Sequence, residues 1–298
     1  HLKILCLQGC SMLEGTIEAL ASCVHLVDLD MHNCSRLSGS LEPIRKCDKL
    51  EKLNMAGCNG IKGPLPGNVL QLITAKAANF TGCEGPYKIY EDISDIADIK
   101  TIDLSMLGPR LYGSLEPLAV LSALENLWAN NNCFTGGLPA SVGALSNLRI
   151  LSVHDACLTG TLPPLFGEQL HSLVAVDLYG NSIEGTLPSA LFSTPRNLAF
   201  VWLHLNRFAG TIPAALSEAT ALEYLSLASN GRLAGTIPAL GQLTRLALLA
   251  LVSWLRLMQV LFIFAMSGPL LIMAIRMLED LWQFLTLAFF VVLAFATA

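Results

Sequence analysis

The sequence predicts an α/β repeat solenoid: short parallel strands stacked one per repeat, each followed by a return segment, with an apolar tail at the end. Three observations predict it. A frame of nine residues, L-x-x-L-x-L-x-x-N, recurs at intervals of 24 or 25 residues from Leu2 to Leu246. The first part of each copy alternates apolar and polar residues, as in "LVAVDL" at 173–178, which is the signature of a strand with one buried face. The second part carries G-x-[LI]-P, as in "GTLPSAL" and "GTIPAAL". Proline cannot continue a ladder, so the chain must leave the sheet there and return by a helical turn or irregular segment.

The copies begin at Leu2, Leu26, Leu50, Ala75, Ile99, Leu124, Leu148, Leu173, Leu198, Leu222 and Leu246. Ten are complete, and the eleventh loses the frame after Leu251. One copy buries a single apolar edge and cannot stand alone, whereas stacked copies share a continuous core. Adjacent strands then lie ~4.8 Å apart in one long parallel sheet. The ninth frame position reads Cys10, Cys34, Cys58, Cys83, Leu107, Asn132, Ala156, Asn181, Asn206 and Asn230. A buried polar side chain there would bond the backbone that has just lost its ladder partners. Asn does this best, Cys is a smaller and weaker substitute, and Leu107 and Ala156 are faults in the ladder.

The combined pattern L-x-x-L-x-L-x-x-N-x-L-x-G-x-[LI]-P resembles the plant-type leucine-rich repeat of receptor-like kinases, receptor-like proteins and polygalacturonase inhibitors, over about residues 2–250. The resemblance implies a right-handed leucine-rich-repeat solenoid with its parallel sheet on the concave face, and recognition rather than catalysis. It names no partner, because the same repeats serve many. The chain departs from the pattern in three ways. Cys replaces Asn in the first four copies, no paired-cysteine N-terminal cap precedes them, and the fourth copy, "AKAANFTGCEGPYKIYEDISDIAD", lacks the G-x-[LI]-P segment.

Residues 1–251 are thus read as the solenoid and 252–298 as a hydrophobic tail. Across the whole chain 53% of residues are hydrophobic and 14% charged, and from Val252 onward only Arg256, Arg276, Glu279 and Asp280 carry charge. Leu257–Ile275 and Leu281–Ala298 each meet the length of a membrane-spanning helix, either as a hairpin turned at "RMLED" or as one span with a hydrophobic cap. Arg256 and Arg276 flank the first candidate evenly and set no orientation. A misjudged gene model would produce the same loss of frame. The chain begins at His1 without a leader pattern, as a piece of a longer chain or a mature product would.

Chemistry is sparse. A net charge of −5 offers no cationic field for nucleic acid. No phosphate-binding loop, nucleophile elbow, zinc-protease or kinase motif occurs, so no catalytic residue, cofactor or metal is expected. The nine cysteines read as small buried hydrophobes. The strand spacing would still permit a Cys10–Cys34 bridge. His154 and His204 share the seventh frame position two copies apart, roughly 10 Å by strand spacing, too far to share one ion. Sequons at Asn33 and Asn79 fall on or beside strands, which argues against glycosylation.

The frame assigns the outward residues. Fifth positions include Trp128, Ser152, Asp177 and Trp202; seventh positions include Asn130, His154, Tyr179 and His204; third positions add Phe200 and Tyr224. Copies six to ten therefore align Trp128, Asn130, His154, Asp177, Tyr179, Phe200, Trp202, His204 and Tyr224 on one face. Clustered exposed aromatics are the usual anchors of interfaces, and Asp177 would attract a basic group. The expectation is a non-catalytic, receptor-like signalling module. It would be tethered to the membrane, with its repeats outside the cell, and would hold a protein, peptide or glycan on this face. A receptor-kinase ectodomain fragment and a soluble inhibitor or scaffold are the alternatives. Free thiols lean toward the cytoplasm instead.

Overall fold

The computed structural model describes residues 1–105, 111–240 and 243. It forms two units, His1–Pro238 and Ala239–Ala298. The predicted tail, 252–298, lies outside the described residues. Among those described, no helix is long and apolar enough to cross a membrane.

Each copy places one short strand where the frame predicts it. Ile4–Cys6, Asp28–Asp30, Lys52–Asn54 and Ala78–Asn79 form one parallel sheet. Thr101–Asp103, Asn126–Trp128, Ile150–Ser152, Ala175–Asp177, Phe200–Trp202 and Tyr224–Ser226 form a second. Equivalent frame positions pair across neighbouring copies, Ser152 with Asp177, Asp177 with Trp202, and Trp202 with Ser226. This register follows from burial. A one-residue slip would turn Leu127, Leu151, Val176 and Val201 to water, and all four are fully buried.

The frame predicted one strand sheet; the structure divides it between Ala78–Asn79 and Thr101–Asp103. The cause lies in the third copy, whose return is the eight-residue helix Gly67–Thr74. That helix ends where the fourth copy should begin. It is followed by Lys76 in the left-handed region, and Thr74 Oγ1 accepts the Asp103 N–H at 3.1 Å. A cavity of about 340 Å³ occupies the break, lined by Ile73, Lys76, Phe80 and Asp103.

The return segments hold more order than the sequence suggested. Most return segments begin with a second short strand. These strands pair in parallel as Gly15–Thr16 with Leu37–Ser38, then as Gly63–Leu65, Tyr87–Ile89, Leu111–Gly113 and Cys133–Phe134, and finally as Glu184–Gly185, Arg207–Thr211 and Arg232–Ala234. Proline then opens the helical turn. Pro66, Pro139 and Pro213 stand as extended caps before Gly67–Thr74, Ala140–Ala144 and Ala214–Glu218. The ring's fixed φ and missing donor suit the start of a helical turn. The fourth copy keeps its second strand without the G-x-[LI]-P segment, because Tyr87 is buried and donates its hydroxyl to Ile61 O at 2.8 Å.

The ninth position behaves as expected. Asn181 Nδ2 donates to Val153 O (2.9 Å) and Leu178 O (3.0 Å), and its Oδ1 accepts Ala156 N–H and Leu158 N–H. Asn206 Nδ2 donates to the same Leu178 O at 2.8 Å, so one carbonyl ties two consecutive amides. Cys34, Cys58 and Cys83 reproduce half of this arrangement. Each Sγ donates to a carbonyl of the preceding copy, Leu7, Met31 and Met55, at 2.9–3.0 Å. A thiol offers no amide oxygen, so the accepting half is lost. Cys10, in the first copy, is exposed. Leu107 lies outside the described residues. No cysteine among the described residues forms a disulfide, and the Cys10–Cys34 option is not taken.

The eighth position holds a further regularity of the repeat. It is left-handed in every described copy, at Gly9, Asn33, Gly57, Gly82, Asn131, Asp155, Gly180, Leu205 and Ser229. Gly, Asn and Asp enter that region most easily.

Two outcomes follow. Asn206→Ala should lower unfolding stability by about 2–4 kcal/mol in a denaturant titration, since it orphans buried backbone groups worth about 1–3 kcal/mol each. Burial pushes the Cys34 thiol up and the Cys58 thiol up to about 11. Alkylation at neutral pH should therefore mark exposed Cys6, Cys10 and Cys133 first, and reach Cys34 and Cys58 only on unfolding, as read by peptide mass spectrometry.

Candidate functional site

The outward side of the second strand sheet carries the predicted residues, and their registration turns frame positions into columns. In the seventh column His154, Tyr179 and His204 stack as three parallel rings. Centroids are 4.4 Å apart for His154–Tyr179 and 4.6 Å for Tyr179–His204, with interplanar angles of 10° and 8°. Beside them Phe200 and Trp202 stack at 5.6 Å, and Trp202 meets Tyr224 at 5.5 Å with a tilt of 36°. Parallel strand spacing suits aromatic stacking, so identical frame positions in successive copies place rings face to face.

Two predicted members are placed differently. Asn130 is not a free outward group. Its Oδ1 accepts the Ser152 hydroxyl at 2.9 Å and the His154 N–H at 3.1 Å, and both Asn130 and Ser152 are buried. Trp128 stands apart from the other rings. Its strand neighbours are Asp103 and Ser152, and Ser152 and Asp177 separate it from Trp202. The nine predicted residues therefore resolve into two ring clusters around Asp177, with Trp128 as an outlier and Asn130 as a support.

Asp177 occupies the centre of the fifth column. Burial raises its carboxyl above the ordinary range, and nearby His154, the Tyr179 N–H and His204 pull it back only in part. The fifth-position acids differ in how their oxygens are used. Asp103 Oδ1 accepts both the N–H and the hydroxyl of Ser105, and Asp30 Oδ1 accepts the His32 N–H at 3.0 Å. Among the described residues Asp177 Oδ1 accepts only the Tyr179 N–H, at a long 3.4 Å. Its strand neighbour Ser152 has turned its hydroxyl to Asn130 instead.

One residue that the frame left out supports the ring stack. Asp155, left-handed at φ 49°, places Oδ2 3.1 Å from His154 Nδ1. Gly180 makes this possible, because a Cβ there would run into the Asp155 carboxylate. Burial first, and the Asp155 carboxylate second, push the Tyr179 phenol up. The signal for Asp155 was its place at the eighth frame position, one residue after an outward histidine. The equivalent residue beside His204 is Leu205, and His204 Nδ1 is covered and without a partner among the described residues. The two outer rings of the stack are thus chemically unequal.

Among the described residues no group of three or more His, Cys, Asp or Glu side chains could hold a metal ion. What the face offers is aromatic area, two histidines and one poorly bonded carboxylate. Those are means of holding a ligand.

No protein-family model and no curated protein matches the chain. Solved structures do match. A plant peptide hormone receptor, RGFR1, in complex with RGF2, is 25% identical with a TM-score of 0.58, over 78% of this chain and 37% of that one. The leucine-rich-repeat ectodomain of the Arabidopsis thaliana membrane receptor kinase GASSHO1/SCHENGEN3, in complex with CASPARIAN STRIP INTEGRITY FACTOR 2, is 31% identical with a TM-score of 0.52, over 76% and 30%. A TDR receptor is 25% identical with a TM-score of 0.57, over 77% and 39%. This chain spans well under half the length of each.

Asp155→Asn should bring the Tyr179 phenol down toward its ordinary range in an ultraviolet difference titration of the folded protein. An unmoved titration would show that burial alone holds it up.

Proposed function

This chain is a plant-type leucine-rich-repeat protein, and from that premise we propose that it is a non-catalytic recognition module. It holds a peptide or protein on the outward side of strands Ile150–Ser152 to Tyr224–Ser226. The observation that carries the reading is the pair of ring clusters. Six aromatic or imidazole rings converge on one face in register, and none of them is needed to fill the core. Rigid rings supply contact area with few torsions to freeze, which is why they anchor interfaces.

Two of the similar structures are receptors described in complex with RGF2 and with CASPARIAN STRIP INTEGRITY FACTOR 2. That supports a ligand-binding part for this chain and favours a peptide or protein over a glycan. Membrane tethering, with the repeats outside the cell, belongs to the same proposal and is supported by the apolar composition after Val252. A receptor-kinase ectodomain fragment is compatible with the same face.

The test is capture of a partner from the tissue that expresses the chain, by the full chain and by a Trp202→Ala, Tyr179→Ala double variant. Both changes lie on the outward side, so the repeats should fold unaltered, as circular dichroism would verify. The double variant should lose the partner by at least tenfold. Undiminished capture would remove the face from consideration.

A further inference from the structure

The recognition reading leaves open what kind of group the face selects, and three features meet at one point to answer it. The first is Asp177, half-buried, short of hydrogen-bond donors among the described residues and with small neighbours on two sides. Its flanks are Ser152 and Ala175, the first turned away to Asn130 and the second a single methyl. The second is Trp202, the partner of Asp177 on the next strand, ~4.8 Å away by strand spacing. Trp202 packs against Phe200 and Tyr224, which pair with each other on one side of it, so its ring is held in place. The third is charge: the chain carries −5, and no Lys or Arg forms an ion pair with Asp177 among the described residues.

Resting on the recognition reading, we propose that Asp177 and Trp202 form a subsite for an arginine side chain of the bound peptide, with the guanidinium stacked on the indole and its fork turned to the carboxylate. The chemistry favours Arg over Lys for three reasons. A planar guanidinium can give two parallel hydrogen bonds to a carboxylate that now receives only one long one. The same plane stacks on an aromatic face, and Trp is the best partner for a cation. Guanidinium is also less strongly hydrated than ammonium, so a partly dehydrated acid costs it less to approach.

The surrounding groups set the sign of the pH dependence. Facing Asp177 are His154 and His204 on the two neighbouring copies, with Asp155 and Tyr179 behind them. As pH falls Asp177, whose carboxyl is raised, takes up its proton sooner than an ordinary aspartate. That loss of charge weakens the hold on a cation, so arginine capture is strongest near neutrality and fades in acid.

A library of blocked ten-residue peptides, screened on the full chain in detergent at neutral pH, tests the assignment. Each arginine of the best binder is replaced in turn by citrulline, which keeps the shape without the charge, or by lysine. One arginine should prove essential, with citrulline weakening binding at least tenfold and lysine severalfold. In Asp177→Asn the arginine and citrulline peptides should bind alike, and in the wild type their difference should shrink as pH drops toward 5. Binding that is lost in the Trp202→Ala, Tyr179→Ala variant but indifferent to citrulline would overturn the arginine subsite and leave the recognition face standing. Binding indifferent to that double variant would overturn both. A library with no arginine-dependent binder, or with lysine equal to arginine, would also overturn the subsite.

Discussion

A buried amide bonding two successive coils is the contact on which the rest of this molecule depends. When each strand ends, its backbone carbonyls turn off the sheet and would be left dry. Asn132, Asn181, Asn206 and Asn230 reach those carbonyls in their own copy and in the one before. The bond satisfies the backbone and fixes the spacing between copies together, so strand register is set from both ends of each strand. The N-terminal copies accomplish the donating half of this with thiols, and burial pushes those of Cys34 and Cys58 up so that they keep their protons.

Register is what converts a repeating sequence into a patterned surface. Within each front sheet a fifth-place or seventh-place residue stands beside the fifth or seventh of the next coil, so a column of side chains can be changed without disturbing the leucines beneath. In copies seven to nine that freedom yields His154, Tyr179 and His204 as one stack. The same pairing puts Asp177 beside Trp202. The scaffold is indifferent to these choices, and recognition can therefore reside in them.

Much of this was legible in the sequence, because burial enforces a strict period and a strict period can be counted. The frame placed each strand of the main sheets and paired Asp177 with Trp202 and Ser226 in advance. The remainder escaped where side chains bond sideways rather than point outward. Asn130 and Ser152 sit at outward positions yet spend their polar atoms on each other. Asp155 matters through His154 and Tyr179, and only its left-handed backbone marks it. The second strands of the return segments are too short to alternate, and the break after Asn79 comes from a helix that runs one turn too long.

That break gains meaning from the layer behind it. The front sheet is interrupted between the fourth and fifth copies, but the rear strands Gly63–Leu65, Tyr87–Ile89, Leu111–Gly113 and Cys133–Phe134 run through the same interval without a gap. The rear layer thins elsewhere, after Leu37–Ser38 to the single bridge of Gly39 with Ile61 and after Cys133–Phe134 to the Thr159 N–H donated to Gly136 O, where the front strands continue. The joints are staggered like those of bonded masonry. Load applied across any one of them passes into an unbroken course on the other side, and a fault in one repeat does not become a hinge.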